Sequence, residues 1–222
     1  MKIFESIINE NDFVFDVGSN IGDKSEIFLS LGAKVVAFEP QLECFNHSIN
    51  RFDGNKKYKC LNIALDYKKG ESIINIASYH TISSMSEKFI TESKKERFTE
   101  FNWDSKRVIK TETLDNMISI YGKPKFIKID VEGYELNVLK GLTNQIDLIS
   151  IEFNPELCEN TIECIDYIDS LNLGNTEFNY GYRNDEYFKY DFWISKEKII
   201  EYLKSVNDYK WEFGDVYCRK IK

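Results

Sequence analysis

An α/β fold built on a largely parallel sheet is what this sequence predicts, and two observations carry the prediction. Short apolar runs alternate with amphipathic stretches along most of the chain, as successive βαβ units require. The run Val14-Phe15-Asp16-Val17-Gly18-Ser19-Asn20-Ile21-Gly22-Asp23 then sets the polarity of the first unit. An apolar strand stops at an acid there, and a loop containing Gly18 and Gly22 leads into a helix. Such a loop brings backbone close to a ligand at the carboxyl end of a strand, where open α/β sheets bind. A carboxylate at Asp16 would repel a pyrophosphate and suits a cation or hydroxyl groups instead.

Each element follows from its own pattern. Residues 13–17 form a first strand and 21–31 a helix that stops at Gly32, a common residue after a helix end. Residues 34–38 form a second strand. Pro40 suits the first turn of the next helix, which runs to about Phe52. Residues 58–63 and 71–77 read as strands. The polar stretch 86–105, with Phe89, Ile90, Phe98 and Phe101 interspersed, reads as a helical or irregular excursion on the binding side of the sheet, within a loop of about 78–105. A short strand at 107–111 and a helix at 114–121 follow. Residues 126–131 form a buried strand with an acidic end, and Glu132-Gly133 turns the chain into a helix at 134–140. Residues 148–153 form the next strand and 161–171 the next helix. The aromatic-rich region 178–193 predicts two strands joined by the turn Arg183-Asn184-Asp185-Glu186. A last helix covers 196–206, and 211–219 closes the sheet edge. There is no internal repeat or low-complexity segment, so residues 1–222 read as a single domain.

Composition narrows the function classes. A formal net charge of −8 argues against an extended nucleic-acid surface. The basic pairs Lys56-Lys57 and Lys94-Lys95 are short, mixed with acids, and read as solvated faces. Five widely spread cysteines form no CxxC pair, which excludes zinc-knuckle and thioredoxin-type motifs. Cys44 and Cys60 sit in apolar patterns and read as small packing residues. Reduced thiols, the lack of a secretory apolar stretch at the N-terminus and the lack of a spanning-length apolar run predict a cytoplasmic chain without membrane insertion. Oligomeric state is left open.

Asp16 and Glu39 terminate successive strands separated by one helix, so both carboxylates fall at the same edge of the sheet. An acid ending the second strand of such a fold binds ribose hydroxyls, since an ionised carboxylate is purely an acceptor. Taken alone, Glu39 also fits a helix N-terminus. A dinucleotide site would need G-x-G-x-x-G, but the second and third glycine positions hold Asn20 and Asp23. The observed D-x-G-x-N-x-G suits a ligand with a sulfonium or amino acid tail, and S-adenosylmethionine is such a ligand.

Several ordered blocks make the sequence similar to the FkbM-type methyltransferases. They are Val14 to Gly22, Ala37-Phe38-Glu39-Pro40, Asn62-Ile63-Ala64-Leu65, Thr113-Leu114-Asp115 and Ile149-Ser150-Ile151-Glu152-Phe153. The most diagnostic is Phe126-Ile127-Lys128-Ile129-Asp130-Val131-Glu132-Gly133-Tyr134-Glu135. The resemblance implies a Rossmann-like, seven-stranded class I methyltransferase sheet, mostly parallel with an antiparallel edge. It also implies S-adenosylmethionine as donor and an oxygen acceptor on a sugar, glycan or secondary metabolite. Matched residue by residue, Asp16, Gly18, Ser19, Asn20 and Gly22 would line the methionine portion, Glu39 the ribose, and Ile63 and Ala64 the adenine. Asp130 would stand near the reacting methyl group.

An alcohol nucleophile must lose a proton, which requires a base within hydrogen-bond reach. Asp130, Glu132 and Glu152 lie near the carboxyl edge of the sheet, and His80 is a more distant candidate. Glu132 and Glu135 would also stabilise a helix N-terminus without any chemistry. Lys128, on a buried strand, calls for pairing with a carboxylate. His47, inside an amphipathic helix, is structural. A divalent metal held by Asp130, Glu152 and Asn154 is a further arrangement, but no spacing rule requires it, and the sequence predicts no metal ligand. The tyrosines of 178–190 fit strand pairing, and some would suit stacking on a sugar ring. A nicotinamide-dependent oxidoreductase and a non-catalytic methyltransferase-like module are the alternatives. The first is disfavoured by the missing glycines, the second by the intact Asp16, Gly18, Gly22, Glu39 and Asp130. The N/D-P-P-Y/F signature of base methylation is absent, since Asp130-Val131-Glu132-Gly133 stands in its place.

Overall fold

The computed structural model describes residues 2–182, 187–206 and 213–221. Its elements run α1 (Lys2–Ile7), β1 (Phe13–Val17), α2 (Asp23–Ser30), β2 (Lys34–Phe38), α3 (Leu42–Arg51), β3 (Tyr58–Leu61), β4 (Ala64–Leu65) and β5 (Gly70–Ile76). There follow a 3-10 turn at His80–Ile82, α4 (Glu87–Ser93), β6 (Ser105–Glu112), α5 (Leu114–Tyr121), β7 (Phe126–Ile129), α6 (Glu135–Leu139) and β8 (Leu148–Phe153). A 3-10 turn at Pro155–Leu157, then α7 (Cys158–Leu171), β9 (Thr176–Tyr182), α8 (Lys196–Ser205) and β10 (Gly214–Lys220) complete the order.

A seven-stranded sheet in the order β3-β2-β1-β7-β8-β10-β9 organises the molecule. β3, β2, β1, β7 and β8 run parallel, and β10 is antiparallel to both β8 and β9. The central strands read as continuous apolar runs because helices cover both faces. Alternation along β1 and β7 splits the core accordingly. Phe15, Val17, Ile127 and Ile129 join Met117, Val138, Ile165 and Leu203 on one face. Val14 and Phe126 meet Phe4 and Phe28 on the other, where Phe4 and Phe28 stack edge to face at 5.0 Å.

Two strands predicted without partners find them outside the main sheet, and the strand predicted at the sheet edge lies inside it. β5 and β6, which bracket the excursion, pair with each other and with the unpredicted β4 in a separate three-stranded sheet. β10 does not close the edge but inserts between β8 and β9, leaving β9 outermost. Residues 187–193 form no second strand; they contribute isolated bridges, Gly181 to Phe188 and, just beyond, Phe178 to Ile194. The predicted turn 183–186 and the residues 211–212 lie outside the described residues.

Helix boundaries differ where capping geometry outranks periodicity. α2 begins two residues after its apolar pattern because Gly22 takes a left-handed cap, φ 91°. Pro40 precedes the cap residue Gln41 rather than entering the first turn of α3. α7 starts at Cys158, three residues early, continuing directly from the Pro155 turn. The excursion builds its own small core: Ala77, Ile82, Phe89 and Leu157, with Phe98, Phe101 and Trp103 packed against them. That core seats the excursion over the carboxyl end of β8. No helix among the described residues is long and apolar enough to cross a membrane.

Candidate functional site

The carboxyl ends of β1, β2 and β7 meet under the excursion. Gly18 makes this junction possible: its φ is +77°, and a Cβ there would stand 1.8 Å from the carbonyl oxygen of Asp130. Only glycine lets the loop after β1 pass so close to the loop after β7. The loop is tied to β2 as well, since Gly18 and Ser19 both donate backbone N–H to the Phe38 carbonyl.

Glu39 ends β2 and is 2% exposed. Its two oxygens accept one backbone amide each, Oε2 from Asn20 at 2.8 Å and Oε1 from Gln41 at 2.7 Å. Burial pushes its carboxyl up to about 7, against the lowering effect of those amides. Asp16, buried on β1, accepts from Ser25 Oγ at 2.6 Å. Burial raises its carboxyl too, with Lys128 and Ser25 opposing. Strand register places Asp16 beside Lys128, whose Nζ reaches Asp130 at 2.5 Å. Burial works against the Lys128 charge, but Asp130, Asp215 and Asp16 outweigh it and hold the ammonium above its ordinary range. The sequence expectation that Lys128 pairs with a carboxylate is met by Asp130.

Around these groups lies a cleft of about 520 Å³, including its open mouth, lined by Gly18, Asn20, Glu39, Gln41, Ala64 and Asp130 among others. A second lobe of about 580 Å³ is lined by Asp16, Ser19, Lys24, His80, Lys128 and Asp130. Gly18, Asn20, Thr81 and Asp130 border both lobes. Seven of the expected residues, Asp16, Gly18, Ser19, Asn20, Glu39, Ala64 and Asp130, therefore line these two adjoining lobes. Ile63 does not: it packs against the main core, and Leu65 lines the cleft beside Ala64 instead. Gly22 also stands back, tight against Phe52 and Ser48 of the α3 region.

Beyond Asp130 the edge becomes strongly acidic. Asp130, Glu132 and Glu152 each bring a carboxylate oxygen within 4.8 Å of the others. Glu132 reaches the group through a left-handed backbone, φ 55°, followed by Gly133 at φ 83°. Ser84 Oγ donates to the Glu132 carbonyl at 2.6 Å and holds that turn. Burial, then the neighbouring charges, raises both Glu132 and Glu152 well above the carboxylate range. Asn154, one of the three residues considered above for a metal that the sequence did not predict, stands outside this group: its amide oxygen accepts from Arg97 while its Nδ2 donates to Glu152 at 2.9 Å. Glu132 takes the third place, and such an oxygen set is of the kind hard divalent cations use. Glu135 is a structural clamp: it accepts the backbone amides of Val131 and Gly133 at 3.2 and 3.0 Å. Burial pushes its carboxyl to about 7.

Sequence reasoning missed Gln41, Tyr134 and Arg97. Tyr134 lines the cleft and bonds Asp66 at 3.2 Å. Arg97 pairs with Glu156 at 3.0 Å, with the two side chains 8% and 4% exposed. Gln41, directly after Glu39-Pro40, carried a positional signal; Arg97, deep in a polar run, carried none.

This sheet order and cleft define the class I S-adenosylmethionine-dependent methyltransferase fold. The chain aligns with a precorrin-6y C5,15-methyltransferase from Geobacter metallireducens GS-15 at TM-score 0.52 and 6% identity, covering 99% of this chain and 87% of that one. It aligns equally well, TM-score 0.52, with an rRNA methylase from Streptococcus thermophilus at 10% identity, covering 100% and 93%. The methyltransferase FkbM domain model matches residues 16–203, and the chain belongs to that family. A hexuronic acid methyltransferase, AglP, from Haloferax volcanii is 32% identical over 149 residues, 64% of this chain. The match spans only 54% of that relative's length.

Proposed function

We propose that the chain transfers a methyl group from S-adenosylmethionine to a hydroxyl of a sugar, glycan or secondary metabolite. The observation that carries the reading is the seat at Glu39: a buried carboxylate at the end of β2, each oxygen fixed by one backbone amide and facing the cleft. Each oxygen keeps acceptor capacity for one of two adjacent hydroxyls. The residues fit the cofactor in other respects as well. Phe38, Pro40, Ala64 and Leu65 offer apolar walls for a base, and the second lobe mixes Asp16 and Asp130 with Lys24 and Lys128, a set suited to a zwitterionic tail.

When bound, the cofactor supplies a methyl group already activated on a sulfonium sulfur. The chain's part is alignment and proton removal. Asp16, Gly18, Ser19 and Asn20 hold the tail, Glu39 the ribose and Ala64 with Leu65 the adenine. Asp130, fixed by Lys128, borders both lobes and orients the acceptor. Glu132 and Glu152 receive the hydroxyl proton; their crowding makes one of them a good base, since adding a proton relieves like-charge repulsion. His80 lies in the lobe away from these two acids and takes no part in proton removal. A sugar acceptor draws support from the hexuronic acid methyltransferase relative and from the density of acceptor oxygens.

Isothermal titration with S-adenosylhomocysteine and, separately, NADH tests the cofactor. Radiolabelled methyl transfer to a panel of hexoses, uronic acids and amino sugars tests the reaction. Saturable binding of the first, lost in Asp16→Ala, is expected. Binding of NADH alone would replace the reading with an oxidoreductase, and binding of neither would leave a non-catalytic module.

A further inference from the structure

The cleft is crossed by a short strap, residues 79–85, that comes from the excursion rather than from the sheet. We infer that His80 on this strap is a cofactor-binding residue that, with Lys24, seats the carboxylate of the methionine tail. The inference rests on the S-adenosylmethionine reading above.

Four observations lead there. First, the strap is anchored through its backbone and not through the imidazole. The His80 carbonyl accepts from Gln41 Nε2 at 3.0 Å and from Asn20 Nδ2 at 3.5 Å. The Ile82 carbonyl accepts from Trp103 Nε1 at 2.8 Å, and Ser84 bridges to Asn75. Second, the ring has no such role: Nδ1 is buried and has no hydrogen-bond partner among the described residues. Buried polar atoms are ordinarily satisfied, so an orphan on a side chain that lines a cavity marks a place where a ligand atom would be taken up. Third, His80 lines the second lobe and Glu39 lines the other, with Gly18, Asn20, Thr81 and Asp130 between them. A ligand with its ribose at Glu39 and its tail in the second lobe would pass under the strap. Fourth, the lobe holds charges of both signs. The acids Asp16 and Asp130 stand at strand ends beside Lys128, while Lys24 stands in the first turn of the eight-residue helix α2, where the adjoining lobe acid Asp23 is paired with Arg51. The strand-end acids suit an ammonium. Lys24, the positive end of α2 and an imidazole N–H suit a carboxylate.

The same residues that fix Glu39 also fix the strap. Asn20 and Gln41 give their backbone amides to Glu39 and their side-chain amides to His80. The ribose seat and the tail seat are therefore held in register by two residues, which preorganises both ends of the ligand together.

The test is calorimetric and needs no acceptor. S-adenosylhomocysteine and 5′-methylthioadenosine share the adenosine and the sulfur, but only the first has the amino acid tail. His80→Ala is expected to weaken S-adenosylhomocysteine about tenfold or more, the loss of a charge-assisted hydrogen bond. It should change methylthioadenosine affinity by less than about twofold. His80→Gln, which keeps an N–H donor and covers the case of an unfolded alanine variant, should recover most of the loss. Unchanged S-adenosylhomocysteine affinity in both variants would overturn the inference. Equal weakening of both ligands would also overturn it, by showing that the strap and not the ring matters. Wild-type protein that bound neither ligand would instead overturn the cofactor reading itself, and the inference with it.

Discussion

Replacing Glu39 with Gln separates what this residue costs the fold from what it does for a ligand. Its carboxyl is pushed from 4.5 up to about 7, because burial at 2% exposure outweighs two backbone amides. A raised folded-state value means that the native protein holds the proton more tightly than the unfolded chain. The associated stability is fully present below pH 4.5 and is lost as pH rises toward and through 7. Linkage over that interval gives about 2 to 3 kcal/mol lost between pH 5 and pH 8. Gln does not titrate, so Glu39→Gln escapes this loss. It carries a pH-independent penalty of about 1–3 kcal/mol, because an amide NH₂ must face one of the two N–H donors of Asn20 and Gln41. Urea unfolding at pH 5 and pH 8, with unchanged m-values, reads the difference. The variant should gain about 2 to 3 kcal/mol relative to wild type on going from pH 5 to pH 8. A stability difference that stays flat between the two pH values would refute the reasoning. The same substitution should weaken S-adenosylhomocysteine, since one acceptor for the ribose becomes a donor.

Other outcomes follow from the same geometry. Gly18→Ala should lower stability by about 3 kcal/mol or more, or about 6–12 °C in Tm, because its Cβ meets the Asp130 carbonyl in a left-handed conformation; a melt within 2 °C of wild type, by the order of that scale, would contradict the contact. Arg97→Ala strands the buried Glu156 and should cost about 3–5 kcal/mol, whereas Arg97→Met with Glu156→Leu should recover most of it in denaturant titration. Glu132→Gln and Glu152→Gln should each lower the methyl-transfer rate about 10²-fold while leaving S-adenosylhomocysteine affinity intact. The wild-type rate should rise with pH above the ordinary carboxylate range, as raised carboxyls lose their protons; a pH-independent rate would remove both acids from proton transfer.

Much of the site was legible because it lies on strand ends, where sequence order translates directly into position. Asp16, Glu39, Asp130 and Glu152 each close an apolar run, and a parallel sheet brings the ends of such runs to one edge. Gly18 was legible for a related reason, since a glycine after such a strand signals a turn no other residue makes. Ile63 and Gly22 show the limit of matching by motif: both sit in the right blocks, yet local packing turns one into the core and the other against α3.

Taken alone, the sequence determined the alternation of strands and helices, the acidic ends of the central strands and the pattern that excludes a dinucleotide loop. Each of these depends on periodicity or on a residue's own conformational freedom, which are local properties. The tertiary structure decided the rest. It inserted β10 between β8 and β9, drew β5 and β6 into a sheet of their own and folded residues 79–85 over the cleft. It also gathered Glu132 with Asp130 and Glu152, and tied Asn154 to Arg97. These outcomes depend on contacts between residues dozens of positions apart, settled by how one buried surface fits another, and no local pattern encodes that fit.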